Sequence, residues 1–421
     1  MTQMPNPILK QPPVPVRLGP RPLPLHLALQ TLTWTSSRAA LTTLNKDLLG
    51  WRPNLKSRAA DLQKNLAGVN PDAFARAVDA EIVTRLQAFA EGVSAYRHHP
   101  QTRTLPEPPT VWREGSTRLL DYGVPPLAGA ENGVPLLVVP SLINRAYILD
   151  LSERRSLLRY LAKHGFRPFL LDWGVPGKDE LGFDLSDYIA GRGEAALAAV
   201  AEMCAAPVGV IGFCMGGNLV LPLAQRRPEL VRAMVLMATP WDFSGMDRAK
   251  TECIPAMRPQ LDGVLNACGV LPVDMLQAMF VSLDPFYAIR KFRRFATLDP
   301  ASRKAHDFVA LEDWLNDGVP LVAKVARECL FDWYVDNTPE RGSWKIRGRP
   351  VVPEEVETET LLIVPEQDYI VPPATALPLA DHLPHVDCRV LKAGHIGMVA
   401  GGRATTLLYA PLVRWLRQRM T

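Results

Sequence analysis

Val208-Gly209-Val210-Ile211-Gly212-Phe213-Cys214-Met215-Gly216-Gly217-Asn218-Leu219 joins an apolar run to the start of an amphipathic stretch. The pattern predicts a buried strand that turns sharply into a helix, with Cys214 on the turn. A residue on such a strained elbow lifts its side chain above the sheet, so the positions two before and two after it must be small. Gly212 and Gly216 occupy them. At the head of the helix the backbone N–H of Met215 would point at an oxyanion forming on an acyl group bound to the sulfur, helped by the positive end of the helix. The same field favours a thiolate. The bland reading is a small buried cysteine between glycines that allow tight packing. Partners decide between the two.

A nucleophile of this kind needs an imidazole to take its proton and a carboxylate to orient the imidazole, in the chain order nucleophile, acid, histidine. Asp368 lies in Val364-Pro365-Glu366-Gln367-Asp368-Tyr369-Ile370-Val371-Pro372-Pro373, just past one expected strand. His395 lies in Ala393-Gly394-His395-Ile396-Gly397-Met398, just past the short strand Cys388-Arg389-Val390-Leu391. Both fall on loops at the carboxyl edge of a sheet. A capping aspartate and a helix-start histidine are the plain alternatives, and the three residues together in this order outweigh them. His164, His382 and His385 read as helix-end and surface-turn residues. The pair His98-His99 cannot share one helical face and reads as a solvated helix end rather than a metal site.

Further strands are expected at Pro135–Val139, Arg167–Leu171, Ala233–Met237 and Thr360–Val364, each a near-continuous apolar run of the kind found in parallel strands covered on both faces. Helical patterns between them, such as Glu153–Leu161, make a doubly wound, mostly parallel α/β sheet. The core therefore spans residues 111–240 and 356–421. The long interruption 241–355 exceeds any βα connection and reads as a cap, or lid, over the carboxyl ends of the strands. Residues 25–110 read as a helical N-terminal region. Eight prolines between Pro5 and Pro24 mark residues 1–24 as an extended arm.

The 421 residues are 48% hydrophobic and 21% charged, which excludes a disordered or collagenous chain. Forty-seven Lys+Arg against 43 Asp+Glu give a net +4, too small and too scattered for a nucleic-acid binder. The six cysteines form no CxxC pair and have no close histidine partners, so neither a zinc knuckle nor a redox motif is spelled out. No apolar run is long enough for a transmembrane segment and no leader pattern is present, which places the protein in the cytoplasm.

Several motifs together resemble the polyhydroxyalkanoate synthases: Val139-Pro140-Ser141-Leu142-Ile143-Asn144-Arg145-Ala146-Tyr147-Ile148-Leu149-Asp150-Leu151, Leu171-Asp172-Trp173-Gly174, Asp187-Tyr188, the elbow itself, Trp241-Asp242-Phe243-Ser244, Asp368–Pro373 and Gly394–Gly397. Tyr334-Val335-Asp336-Asn337 in the cap is similar to a further family pattern. The resemblance runs from about Val111 to Gly402. It implies an α/β-hydrolase fold and an acyltransferase that polymerises (R)-3-hydroxyacyl-CoA into polyester, releasing coenzyme A. Cys214 would carry the chain as a thioester, His395 would activate the thiol, and Asp368 would assist the histidine or the incoming hydroxyl. The loop Ser141–Asn144 would add a second oxyanion N–H, from Ile143 in preference to Leu142. No metal or redox cofactor is implied, since the coenzyme A thioester is itself a substrate. A second synthase subunit or a homodimer, and a place at the surface of polyester granules, are implied as well. The short N-terminal region departs from the single-subunit synthases toward the two-subunit classes, and Asp172–Gly177 is an atypical version of the family's tryptophan loop. The rival expectation is a cysteine-dependent hydrolase acting on polyester, ester or thioester.

Overall fold

Strand β5, Val208–Phe213, is buried along its whole length and lies in the middle of an eight-stranded sheet. The computed structural model describes residues 17–39, 51, 55–125, 127, 129–247 and 251–420; the first sixteen residues of the expected arm lie outside them. In chain order the other strands are β1 (Thr110–Glu114), β2 (Thr117–Asp121), β3 (Val134–Val139), β4 (Phe166–Asp172), β6 (Val231–Met237), β7 (Thr360–Pro365) and β8 (Val386–Leu391). They are arranged β1-β2-β4-β3-β5-β6-β7-β8. The pairs from β4 through β8 are parallel, while β1 with β2 and β2 with β4 are antiparallel. The strands expected from apolar runs all appear, one or two residues longer at some ends. The hairpin β1–β2 was not expected, because β1 carries an exposed pattern and no continuous apolar run.

The chain divides into two units. The larger, Arg103–Leu283 with Asp317–Thr421, contains the sheet and its flanking helices, with a core built from β3, β5, β6 and β7 side chains such as Leu137, Val210, Leu236 and Leu362. A buried ion-pair cluster sits in it: the Asp150 carboxylate accepts from Arg159 at 2.7 Å, from Arg103 at 2.8 Å and from the Tyr122 hydroxyl at 3.1 Å.

The smaller unit joins the residues up to Thr102 with Asp284–Asn316. Its helices include Leu23–Ser36, Lys56–Leu66, Pro71–Arg97, Tyr287–Phe295 and Arg303–Asn316. The stretch 241–355, expected as one cap, is thus divided between the units. The reason is visible in Tyr287–Phe295, where Ala288, Ile289, Phe292 and Phe295 make one apolar face. That face packs with Phe89, Val93 and Tyr96 of the long helix Pro71–Arg97. Gly92 permits the crossing, since a Cβ there would run into the Phe292 carbonyl. Within the same unit Arg17 is held by Asp313 at 2.7 Å, and the helix begins at Leu23, so residues 17–24 are fixed rather than a free arm. His98 ends its helix in solvent as expected, but His99 is buried and its Nε2 meets the Pro300 carbonyl at 2.9 Å.

Around the elbow the packing leaves no room for side chains. A Cβ on Gly212 would lie 2.5 Å from Gly217 Cα, and one on Gly216 would run into the Val139 carbonyl oxygen. Both obstacles are backbone, which cannot turn aside. Gly216→Val is expected to lower the unfolding free energy in urea by about 1–3 kcal/mol or more, as overpacking against rigid neighbours does; wild-type stability would contradict the close approach of β3 to the elbow helix.

Candidate active site

Cys214 has φ +56° and ψ −127°, and its N–H donates to the Met237 carbonyl of β6 at 2.8 Å. This is a rare conformation for a residue with a side chain. Helix Met215–Arg226 starts at the next residue, and its first internal bond at this end is Gly217 N–H to the Cys214 carbonyl, 2.9 Å. The N–H groups of Met215 and Gly216 thus stand at the helix mouth, where anionic oxygen is favoured.

Asp368 follows β7 and is buried. Its Oδ1 accepts from the N–H groups of Ile370 and Val371, both at 2.8 Å, which locks the carboxylate in a turn of its own loop. Its Oδ2 pairs with His395 Nδ1 at 2.6 Å. His395 opens the helix His395–Ala400 just after β8 and is also buried. Backbone bonds tie the two loops together: Glu366 N–H to the Leu391 carbonyl at 2.8 Å and Gln367 N–H to the Ala393 carbonyl at 3.0 Å. With Nδ1 committed to Asp368, the imidazole also feels the charge on Cys214 at the elbow. Phe213 lies beside the ring at a 5.2 Å centroid distance. Of the three residues singled out in the sequence, Asp368 and His395 are thus hydrogen-bonded, and Cys214 acts on the same ring through its charge.

Burial of His395 opposes a charged ring, but negative charge on the Cys214 sulfur and the bond to Asp368 outweigh it and push the imidazole pKa up to about 10.

The loop Ser141–Asn144 follows β3. Its Ile143 N–H donates to the Ser141 hydroxyl at 3.1 Å, so the expected second oxyanion donor has an acceptor from its own loop. Trp173 braces this loop with a bond from Nε1 to the Pro140 carbonyl, 3.1 Å, and stands edge-on to Tyr188 at 5.5 Å. The variant tryptophan loop thereby reaches the site through Pro140.

Residues of the 317–355 stretch also converge here. Asn337, at φ +52°, receives the Phe243 N–H on Oδ1 at 2.9 Å and donates from Nδ2 to Asp242 Oδ1 at 2.8 Å. This buckle sets the Tyr334 ring 4.9 Å from that of Phe243. Burial, and then charge on Cys214 and Cys329, raise the Tyr334 phenol above its usual pKa, so it stays neutral beside the sulfur. Glu328, six residues earlier, accepts the Leu185 N–H at 3.0 Å, and burial pushes its carboxyl up to about 7. The sequence marked Tyr334–Asn337 as a pattern without a role; the paired Asp242 stood in another motif, and only folding joins them.

Asp368→Asn keeps the shape of the turn but removes a charge that helps hold the His395 proton. The histidine pKa should fall below about 10, toward or past its ordinary 6.5, as followed by 15N NMR of the ring across pH 5–11. A value equal to wild type would mean that Asp368 does not act on the imidazole.

The α/β-hydrolase fold family matches residues 134–401. The chain is 29% identical over 345 residues to the poly(3-hydroxyalkanoate) polymerase subunit PhaC of Haloferax mediterranei, covering 81% of this chain and 69% of that one. It is also 29% identical over 313 residues to the subunit of the same name from Allochromatium vinosum, covering 73% and 88%. Both alignments take in most of the chain, and the elbow, acid and histidine loops described above all lie within 134–401. Over most of its length the chain is thus similar to poly(3-hydroxyalkanoate) polymerase subunits, and it belongs to the α/β-hydrolase fold family.

Proposed function

We propose that this chain is a polyhydroxyalkanoate synthase that transfers (R)-3-hydroxyacyl groups from coenzyme A to Cys214 and joins them there as polyester. The observation that carries the reading is a cysteine on the elbow whose imidazole partner is held between it and a carboxylate. Transfer from one thiol to another is nearly thermoneutral. A sulfur can therefore hold the chain and keep it activated for the next ester bond, whereas a serine would trap it as a stable oxoester.

The proposed cycle moves one proton back and forth. The Cys214 sulfur, as thiolate, attacks the thioester carbonyl; the C–S bond to coenzyme A breaks, and the His395 imidazolium gives its proton to the departing thiolate. The N–H of Met215 holds the oxyanion, with that of Ile143 exchanging Ser141 for the substrate oxygen. Once Cys214 is acylated its negative charge is gone, and with it the largest of the influences that raise the histidine. Neutral His395 then takes the proton of an incoming 3-hydroxyl, whose oxygen attacks the thioester. The Cys214 thiolate leaves, and the charged pair is restored. Asp368 steadies the imidazole in both halves through Nδ1. Atoms and electrons balance with the coenzyme A thioester alone, so the proposed reaction includes no metal and no redox cofactor. A second synthase subunit or a homodimer is part of the proposal, as is action at the granule surface. Among the described residues no helix is long and apolar enough to cross a membrane.

The test follows both products from 3-hydroxybutyryl-CoA. Coenzyme A release accompanies synthesis and hydrolysis alike, so the acyl product decides. Insoluble polyester is expected, after a lag while a primer forms, with the second subunit supplied where the chain alone is inactive. Free 3-hydroxybutyrate equal to the thiol released, with and without that subunit, would replace the synthase by a hydrolase.

A further inference from the structure

On either side of Tyr334 the chain places three polar side-chain atoms in the interior without an acceptor or donor among the described residues: Trp333 Nε1, Thr338 Oγ1 and Trp344 Nε1. Trp333 and Trp344 are only 2% and 5% exposed. The two indoles are neighbours, with ring centroids 5.2 Å apart and planes at 80°. Thr338 belongs to the same turn, since its carbonyl receives the Trp344 N–H at 3.1 Å. Such groups almost always find partners when buried, and leaving them unpaired costs stability that packing must offset.

The position of this group relates it to the reacting sulfur. Phe243 contacts both the Trp333 ring, at 5.8 Å, and the Tyr334 ring, at 4.9 Å, and Tyr334 is the neighbour whose phenol feels the charge on Cys214. A file of aromatic faces thus runs from Tyr334 and from Phe243, just past the strand β6 that holds the Cys214 N–H, to the two indoles.

The chemistry of the unpaired atoms selects what would satisfy them. Indole N–H is a donor only, and a threonine hydroxyl can donate too, so the missing group must bring acceptors. The aromatic walls favour a carrier that is otherwise aliphatic. A poly(3-hydroxyacyl) chain has this character: one ester carbonyl per unit on an aliphatic backbone, and no donor except its terminal hydroxyl. We propose that Trp333 and Trp344 form a subsite for the growing chain, their N–H groups donating to ester carbonyls beyond the thioester on Cys214. The subsite rests on the synthase reading above. Its occupation requires the turn 338–344 to part from the rings around it.

The experiment compares two acyl donors, 3-hydroxybutyryl-CoA and the coenzyme A thioester of the 3-hydroxybutyrate trimer, on wild type, Trp333→Phe and Trp344→Phe. Phenylalanine keeps an aromatic face and removes the N–H. The ratio of the trimer KM to the monomer KM is expected to rise about fivefold to tenfold in each variant, the effect of one neutral hydrogen bond. An unchanged ratio in both variants overturns the subsite. A second measurement does not depend on those variants folding: in 15N-tryptophan-labelled Cys214→Ala protein, the indole N–H signals of Trp333 and Trp344 should move downfield when the trimer thioester is added. Signals that stay in place overturn it. Failure of the wild-type Cys214 to be acylated by either thioester, with and without the second subunit, would instead sink the synthase reading, and the subsite with it.

Discussion

Cys214 sits at φ +56°, in a conformation the chain adopts only because its surroundings impose it. The tie of its N–H to Met237 and the helix that begins at Met215 hold the turn from either side. Gly212 and Gly216 keep clear the space through which β3 and the elbow helix approach one another. The residues of the site follow strand ends on one sheet edge, Ser141–Ile143 after β3, Trp173 after β4, Trp241–Phe243 after β6, Asp368 after β7 and His395 after β8, and Tyr334–Asn337 join them from the 317–355 stretch. A sheet of this order collects loops from distant parts of the chain at one place, and the strained turn puts a nucleophile among them.

Within that arrangement one proton carries the chemistry. Asp368 is bound by two N–H groups of its own loop, so its free oxygen is aimed before the histidine arrives. The histidine in turn joins the carboxylate to the sulfur. In the proposed cycle, acylation removes the sulfur's charge, the influence that most raises the imidazole, and so turns His395 from a proton donor into an acceptor. The two half-reactions then need no second base, and the same coupling explains why a cysteine suits this position better than a hydroxyl that would be neutral throughout.

The elbow and the sheet were readable in the sequence because their signals are local. Glycines two residues to either side of Cys214 and unbroken apolar runs such as Leu136–Val139 report their surroundings directly. Asp368 and His395 were readable because each directly follows a strand. What escaped depends on long-range pairing. The apolar face of Tyr287–Phe295 announces that it is buried but not against which partner, and Phe89, Val93 and Tyr96 settle that only after folding. The bond between Asn337 and Asp242 links motifs far apart in the chain, and the aromatic file beside the sulfur follows from it. His99 looked solvated beside His98, yet the carbonyl of Pro300 draws it inside.

The coupling between sulfur and imidazole is open to direct observation. With 15N-labelled histidine, the protonation of the His395 ring can be read near pH 8 in the free protein and again after Cys214 has been acylated from butyryl-CoA, which lacks the hydroxyl needed for chain growth. The expected result is an imidazolium in the free protein and, in the acyl-enzyme, a neutral ring that keeps its proton on Nδ1 toward Asp368. An imidazolium that persists unchanged after acylation would contradict the coupling on which the proposed cycle depends.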